Sequence, residues 1–142
     1  MGAFVFREEI FEFVRIAGDR AFDIVIFTNQ PEVARGNFEL TDMQKIEEYC
    51  RTKLPLLDYF ACYHDDSDAC GCRKPKPGML IQAIKKWEID PSRSFVVGDR
   101  DKDIIAGRAA GIRSILLENS VYDKNSTSAD GYITDLLNFS FE

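Results

Sequence analysis

The chain has 142 residues, 45% hydrophobic and 30% charged, enough for one domain with a real core. Its 18 basic and 24 acidic residues leave a net charge of −6, which argues against a broad basic face for nucleic acid. No apolar run approaches membrane-spanning length, and Arg7, Glu8 and Glu9 break the N-terminal apolar stretch where a secretory leader would continue, so neither a membrane partner nor an exported protein is expected.

Ala3-Phe4-Val5-Phe6 reads as a short strand or as an entry packed on the next helix. From Glu8, the spacing of Ile10, Phe11, Phe13, Val14 and Ile16 predicts a helix with a broad buried face, and Gly18 is the expected terminator. Asp23-Ile24-Val25-Ile26-Phe27 is a continuous β-branched and aromatic run, the pattern of a strand buried on both faces of a parallel sheet. Thr28-Asn29-Gln30 follow at its C-terminal tip, where open α/β sheets place ligands. Pro31 to Leu40 reads as a loop carrying Ala34-Arg35-Gly36. Thr41 is the expected cap of the next helix, with Gln44 as its capping-box partner. Met43, Ile46, Tyr49, Cys50 and Leu54 line one face of it, Cys50 most simply as a buried apolar residue. Asp58 to Tyr63 alternates as a second strand.

That strand runs into a stretch that holds three of the four cysteines and the single histidine of the chain. Cys62-x-His64 and Cys70-x-Cys72 are two tight pairs joined by an acidic loop, a ligand set that suits a closed tetrahedral Zn²⁺ site. A metal-free reduced loop leaves this clustering unexplained, and a disulfide leaves His64 without a role. Thiolates at ligand spacing point to a reducing cytoplasm. A basic, proline-stiffened turn follows, Arg73-Lys74-Pro75-Lys76-Pro77-Gly78. Met79, Leu80, Ala83, Ile84 and Trp87 then mark a helix, and Ser94 to Val97 a buried strand ending in Gly98-Asp99-Arg100-Asp101-Lys102-Asp103. Ile104 to Ala110 reads as a helix stopped by Gly111, Ile112 to Leu117 as a strand, and Ala129 to Ile133 as a short strand before a helical turn at Asp135-Leu136-Leu137. Strands alternating with helices predict a single three-layer α/β domain over residues 1–142 with a mostly parallel sheet.

In such a sheet the strand tips carry the chemistry. The hydroxyl of Thr28, the amide of Asn29 and the ammonium of Lys74 are what a phosphoryl group needs. Asp99 is a hard oxygen ligand suited to Mg²⁺, and Asp103 lies one helical turn beyond it. Each residue also has a plainer reading: Thr28-Asn29-Gln30 as a strand exit, Asp99 and Asp103 as helix caps, Lys74 and Arg35 as solvated charges. Their order along the chain weighs more than any one of them.

That order resembles the haloacid dehalogenase (HAD) superfamily, and more narrowly its zinc-loop branch, which contains the D-glycero-D-manno-heptose 1,7-bisphosphate and histidinol-phosphate phosphatases. The resemblance runs from about Phe4 to Leu137. It implies a Rossmannoid fold with an inserted zinc loop and Mg²⁺-dependent hydrolysis of a small sugar phosphate or bisphosphate. It implies that Thr28 and Asn29 bind phosphate, Lys74 stabilises the nucleophile and phosphoryl group, Asp99 binds Mg²⁺ and Asp103 supports that motif. Cys62, His64, Cys70 and Cys72 match the structural zinc ligands, and Arg35 and Arg73 fall in stretches that contact the distal part of the substrate. Pro31-Glu32 stand where small residues such as Ser-Gly are frequent in the family.

One family motif is absent near the start of this chain: the strand ending in Asp-x-Asp-Gly, whose first Asp is the nucleophile and whose second is the general acid/base. Asp19 and Asp23 come too late to replace it. The expected sheet therefore lacks its first central strand, and the 142 residues alone are expected to be inactive or nearly so. Three accounts stay open: an upstream segment in a longer protein; Ala3 to Phe6 filling the gap, in its own molecule or by exchange between two associating copies; or a natural remnant that binds without catalysing. The alternative function class is a non-catalytic phospho-ligand sensor or zinc-stabilised interaction domain. A zinc-ribbon nucleic-acid binder is disfavoured by charge and by the α/β pattern.

Overall fold

The computed structural model describes residues 8–65, 69–117, 129–135 and 137. The Ala3–Phe6 stretch and most of the acidic connection between the two ligand pairs lie outside these residues, as does Leu136 of the expected last helical turn. The described chain forms two units, one ending at Cys70 and one beginning at Gly71.

The first unit is built from α1 (Glu8–Asp19), β1 (Ile24–Asn29), α2 (Leu40–Lys53) and β2 (Leu56–Cys62). Helix α1 buries Val14 and Ala17, which meet the helical repeat, while Phe11 remains exposed. Gly18 does not end it. The chain leaves α1 through Ala21, at φ 62, with the Phe22 N–H donating to the Ala17 carbonyl and the Ala21 N–H to the Gly18 carbonyl. This is a Schellman turn with alanine in the left-handed position that glycine usually takes. Helix α2 also starts differently from expectation. Glu39, not Thr41, precedes it, and the Glu39 N–H donates to Asp42 Oδ2 at 3.2 Å. A carboxylate three residues into the helix thus does the work expected of Thr41 and Gln44. Met43, Cys50 and Leu54 are buried as expected, whereas Tyr49 is exposed. Burial pushes the Cys50 thiol pKa up, with Glu47 adding to the effect, as befits an inert core cysteine.

Strands β1 and β2 are parallel. A register shift after Ile24 realigns the ladder so that Thr28 faces Ala61 and Asn29 faces Cys62. All six residues of β1 are half-buried, not fully buried as the continuous apolar run implied. Among the described residues its one ladder is with β2. In β2 the buried Asp58 is satisfied twice: Oδ1 accepts from its neighbour Tyr59 N–H at 2.8 Å and from Arg51 Nη2 at 3.0 Å. That pair fastens the end of α2 to the strand.

The second unit holds α3 (Gly78–Trp87), β3 (Phe95–Gly98), α4 (Asp101–Ala109), β4 (Arg113–Leu117) and β5 (Gly131–Ile133), with a short 3₁₀ turn at Pro91–Arg93. The last was not legible as periodicity; it is set by Asp90, whose side chain accepts from Ser92 N–H at 3.0 Å. Strand β4 lies between β3 and β5, and both ladders are parallel. Ile104, Ala106, Ser114 and Leu116 are fully enclosed between α4 and this sheet. Gly107 permits the approach: a Cβ there would stand 2.1 Å from Ser114 Oγ and 3.0 Å from Val96 Cγ2. Helix α4 ends as expected at Gly111, φ 77, with Ile112 N–H donating to the Gly107 carbonyl. The α/β class with parallel pairing throughout the described strands is therefore as the sequence implied.

Candidate functional site

At the tip of β1, Thr28 and Asn29 are the last strand residues and Gln30 the first beyond it. Gln30 is tied down at both ends. Its N–H donates to the Cys62 carbonyl at 2.7 Å, and its Nε2 donates to Thr28 Oγ1 at 3.2 Å. The Thr28 hydroxyl thus accepts from a neighbouring amide at the strand tip and donates to the Asn29 carbonyl at 3.5 Å, the long end of the hydrogen-bond range. Asn29 faces Cys62 across the ladder, so the polar tip and the first metal-ligand position sit side by side.

The loop after β1 is closed by Glu32. Its carbonyl accepts from Asn37 N–H at 2.9 Å, while Arg35 N–H donates to Pro31 O at 3.0 Å and Gly36, φ 77, turns the chain. The Glu32 carboxylate then spans the loop, accepting from Asn37 Nδ2 at 2.5 Å on one oxygen and from Arg35 Nη1 at 3.2 Å on the other. The Asn37 amide, followed by Arg35, holds the Glu32 carboxyl pKa below its usual range. Sequence reading singled out Arg35 and noted Glu32 only as a departure from a family pattern; the alternation Glu32, Arg35, Asn37 was the available signal.

The four predicted ligands converge. One ligand atom each from Cys62, His64, Cys70 and Cys72 lies within 4.8 Å of the others. Cys62 Sγ is 3.4 Å from His64 Nδ1 and 3.6 Å from Cys70 Sγ. A tetrahedron with Zn–S of about 2.3 Å and Zn–N of about 2.1 Å has edges of roughly 3.6 and 3.8 Å, so the observed separations fit. They are far too long for a disulfide, and all four cysteines of the chain are free thiols. Cys62 is buried, Cys70 and Cys72 are half-buried and His64 is exposed. Ala69, at φ 51, turns the chain into Cys70. The loop closes at Gly78, whose N–H donates to the Gly71 carbonyl at 3.1 Å; a Cβ at Gly78 would stand 2.2 Å from that oxygen.

In the second unit Arg73 is buried, and Lys74 follows with its peptide to Pro75 in the cis form. Lys74 Nζ pairs with Asp103 Oδ1 at 2.5 Å, their side chains only 13% and 9% exposed. The other oxygen, Oδ2, accepts from Arg100 N–H at 3.2 Å, so Asp103 is at once the cap of α4 and the partner of the lysine. Gly98 makes room for it: a Cβ there would lie 2.4 Å from Asp103 Cβ and 2.5 Å from Oδ2. Sequence reading placed Gly98 at the strand tip but not in this steric role. Asp99, between Gly98 and the cap, is half-buried and has no ion pair among the described residues.

Comparisons with known proteins bear on the family of the chain. A HAD-hydrolase-like family model matches residues 71–138. The D-glycero-beta-D-manno-heptose-1,7-bisphosphate 7-phosphatase of Helicobacter pylori strain J99 is 33% identical over 120 residues, covering 80% of this chain and 69% of that one. The D-glycero-alpha-D-manno-heptose-1,7-bisphosphate 7-phosphatase of Photorhabdus laumondii is 34% identical over 131 residues, covering 84% and 72%. Among solved structures, the D,D-heptose 1,7-bisphosphate phosphatase of B. bronchiseptica, complexed with magnesium and phosphate, superposes with a TM-score of 0.77 at 23% identity, over 93% of this chain and 79% of that one. No described helix is long and apolar enough to cross a membrane.

Proposed function

The chain belongs to the HAD-like hydrolases, and on that premise we propose that it is a phosphatase-type domain for a small phosphorylated sugar, with D-glycero-D-manno-heptose 1,7-bisphosphate the best-supported ligand. The observation that carries this reading is the pairing of Asn29 with Cys62: the polar strand tip expected to hold a phosphoryl group adjoins the first residue of the metal-ligand loop.

In this reading Thr28 and Asn29 donate hydrogen bonds to phosphoryl oxygens, and Lys74, oriented by Asp103, neutralises charge that grows during transfer. Arg35 and Arg73 meet the distal part of the substrate. Asp99 is the carboxylate for Mg²⁺, which would polarise the phosphoryl group when bound. Cys62, His64, Cys70 and Cys72 hold a structural Zn²⁺ that shapes the loop beside the phosphate tip. The reduced thiolate set supports a cytoplasmic location.

The nucleophile is not supplied by an Asp-x-Asp-Gly near the start of this sequence. The second reading follows from that fact: these 142 residues bind the phosphosugar without turning it over. Phosphate release from the heptose bisphosphate with Mg²⁺, set beside saturable binding and an Asp99→Asn control, separates the two. Mg²⁺-dependent binding without release is the expected result. Release abolished by Asp99→Asn would show that another carboxylate has become the nucleophile. No binding at all would sink the phosphosugar reading.

A further inference from the structure

Glu32 sits in the loop that follows the polar strand tip, where among the described residues its one charged partner is Arg35. Its contacts form a relay. The Asn37 amide fixes one carboxylate oxygen at 2.5 Å, the carbonyl of the same residue accepts from Asn37 N–H at 2.9 Å, and the second carboxylate oxygen accepts from Arg35 Nη1 at 3.2 Å. A long, flexible cation at a loop tip would otherwise sample many rotamers. Here one of its five N–H donors is anchored on Glu32, and among the described residues the other four have no hydrogen-bond partner.

We infer that Glu32 is a positioning residue that sets the substrate preference of this site, by holding the Arg35 guanidinium ready for the distal part of a phosphorylated sugar. The inference rests on the proposed role of Arg35 as a substrate contact. It does not rest on stability. Arg35 and Glu32 side chains are 41% and 34% exposed, and such surface pairs contribute little to folding, so removing the carboxylate charge leaves the fold in place. What it removes is pre-organisation: the ordering of Arg35 would then have to accompany binding. The effect is therefore confined to ligands long enough to reach Arg35. Inorganic phosphate, which needs only the strand-tip groups, does not feel it.

The test is calorimetric titration of the Mg²⁺- and Zn²⁺-loaded chain with D-glycero-D-manno-heptose 1,7-bisphosphate and, separately, with inorganic phosphate. It uses the parent, Glu32→Gln, Arg35→Ala and the double variant, with thermal midpoints recorded for each. Glu32→Gln is expected to weaken bisphosphate binding about tenfold while changing inorganic phosphate binding less than about twofold. In the Arg35→Ala background Glu32→Gln should add less than about twofold, because its effect passes through the arginine. An Arg35→Ala loss without a Glu32→Gln loss overturns this inference alone. Equal losses for both ligands, or a Glu32→Gln loss that persists without Arg35, assign Glu32 a general loop role and also overturn it. If Arg35→Ala leaves bisphosphate binding unchanged, or the parent binds none, the reading of Arg35 falls and this inference falls with it.

Discussion

Gly98→Ala is the smallest change that tests how the β3–α4 turn is built. The added methyl would lie 2.4 Å from Asp103 Cβ, 2.5 Å from Oδ2 and 2.7 Å from Cγ, all closer than real Cβ contacts come. Asp103 has no easy retreat: it is 7% exposed, with Oδ1 on Lys74 and Oδ2 on the Arg100 N–H. Replacing a strand glycine by alanine otherwise gains about 0.5–1 kcal/mol. Overpacking costs about 1–3 kcal/mol. Prising Asp103 from a nearly buried lysine adds a cost of up to about 3 kcal/mol, less in proportion to the solvent the pair retains. The net expectation is a loss of about 2–4 kcal/mol. Urea unfolding of the zinc-loaded chain reads it as a lower midpoint at unchanged slope. Mg²⁺-dependent phosphate binding should weaken alongside, because Asp99 lies in that turn and Lys74 pairs with the Asp103 that the methyl displaces. A Gly98→Ala chain with the parent's midpoint would refute the steric argument, since Asp103 would then have moved at no cost.

Three further outcomes follow from the geometry. Purified without chelators, the chain should carry about one Zn²⁺; stripping it, or changing Cys62 to Ser, should lower the thermal midpoint by several degrees, and a metal-free chain of equal stability would rule out the structural zinc. Ala21→Gly and Gly111→Ala should have opposite signs. Both positions are left-handed, at φ 62 and 77, and nothing lies within 4 Å of a Cβ at Gly111, so each change should move stability by only about 1 kcal/mol, up for Ala21→Gly and down for Gly111→Ala, in denaturant titrations. The Glu32 carboxyl is held below its usual range by Asn37 and Arg35. The loop lock is therefore complete above the ordinary glutamate pKa of about 4.3 and is lost as pH falls through the lowered value. The Asn37 side-chain amide resonance should follow that titration, and should not move in Glu32→Gln.

The elements were largely legible because they are written locally. The apolar runs at Ile24–Phe27 and Phe95–Val97, the helical spacing of Met79, Leu80 and Ala83, and Gly111 each specify structure through neighbours within a turn or two. The errors came where two local signals competed. Gly18 is the expected helix terminator, but α1 continues to Asp19 and turns at Ala21, a residue with no intrinsic liking for positive φ. Thr41 is the better cap in isolation, yet Glu39 with Asp42 starts α2 two residues sooner. The Cys/His cluster was legible because all four residues fall within eleven positions of sequence, so a loop can gather them without any knowledge of the fold. Lys74 and Asp103 are 29 residues apart; the strand-tip pattern and the family resemblance put both at one site, but neither signalled that they pair directly.

Asp103 also shows why two plausible readings of a residue need not exclude each other. As a sequence feature it is either a helix cap or a functional carboxylate. Its two oxygens divide the tasks: Oδ2 takes the free N–H at the start of α4, and Oδ1 takes the lysine. The cap holds the Asp103 side chain where the ion pair needs it, and the missing Cβ of Gly98 leaves room for it there. The consequence falls on Asp99. Because Lys74 is matched by Asp103, the charge of Asp99 is not spent on it, and Asp99 has no ion pair among the described residues. On the proposed reading, this leaves the Asp99 carboxylate available to a divalent cation. If this turn takes Mg²⁺ as proposed, it is the division of labour between two acids four residues apart, more than the presence of either acid by itself, that leaves Asp99 for the ion.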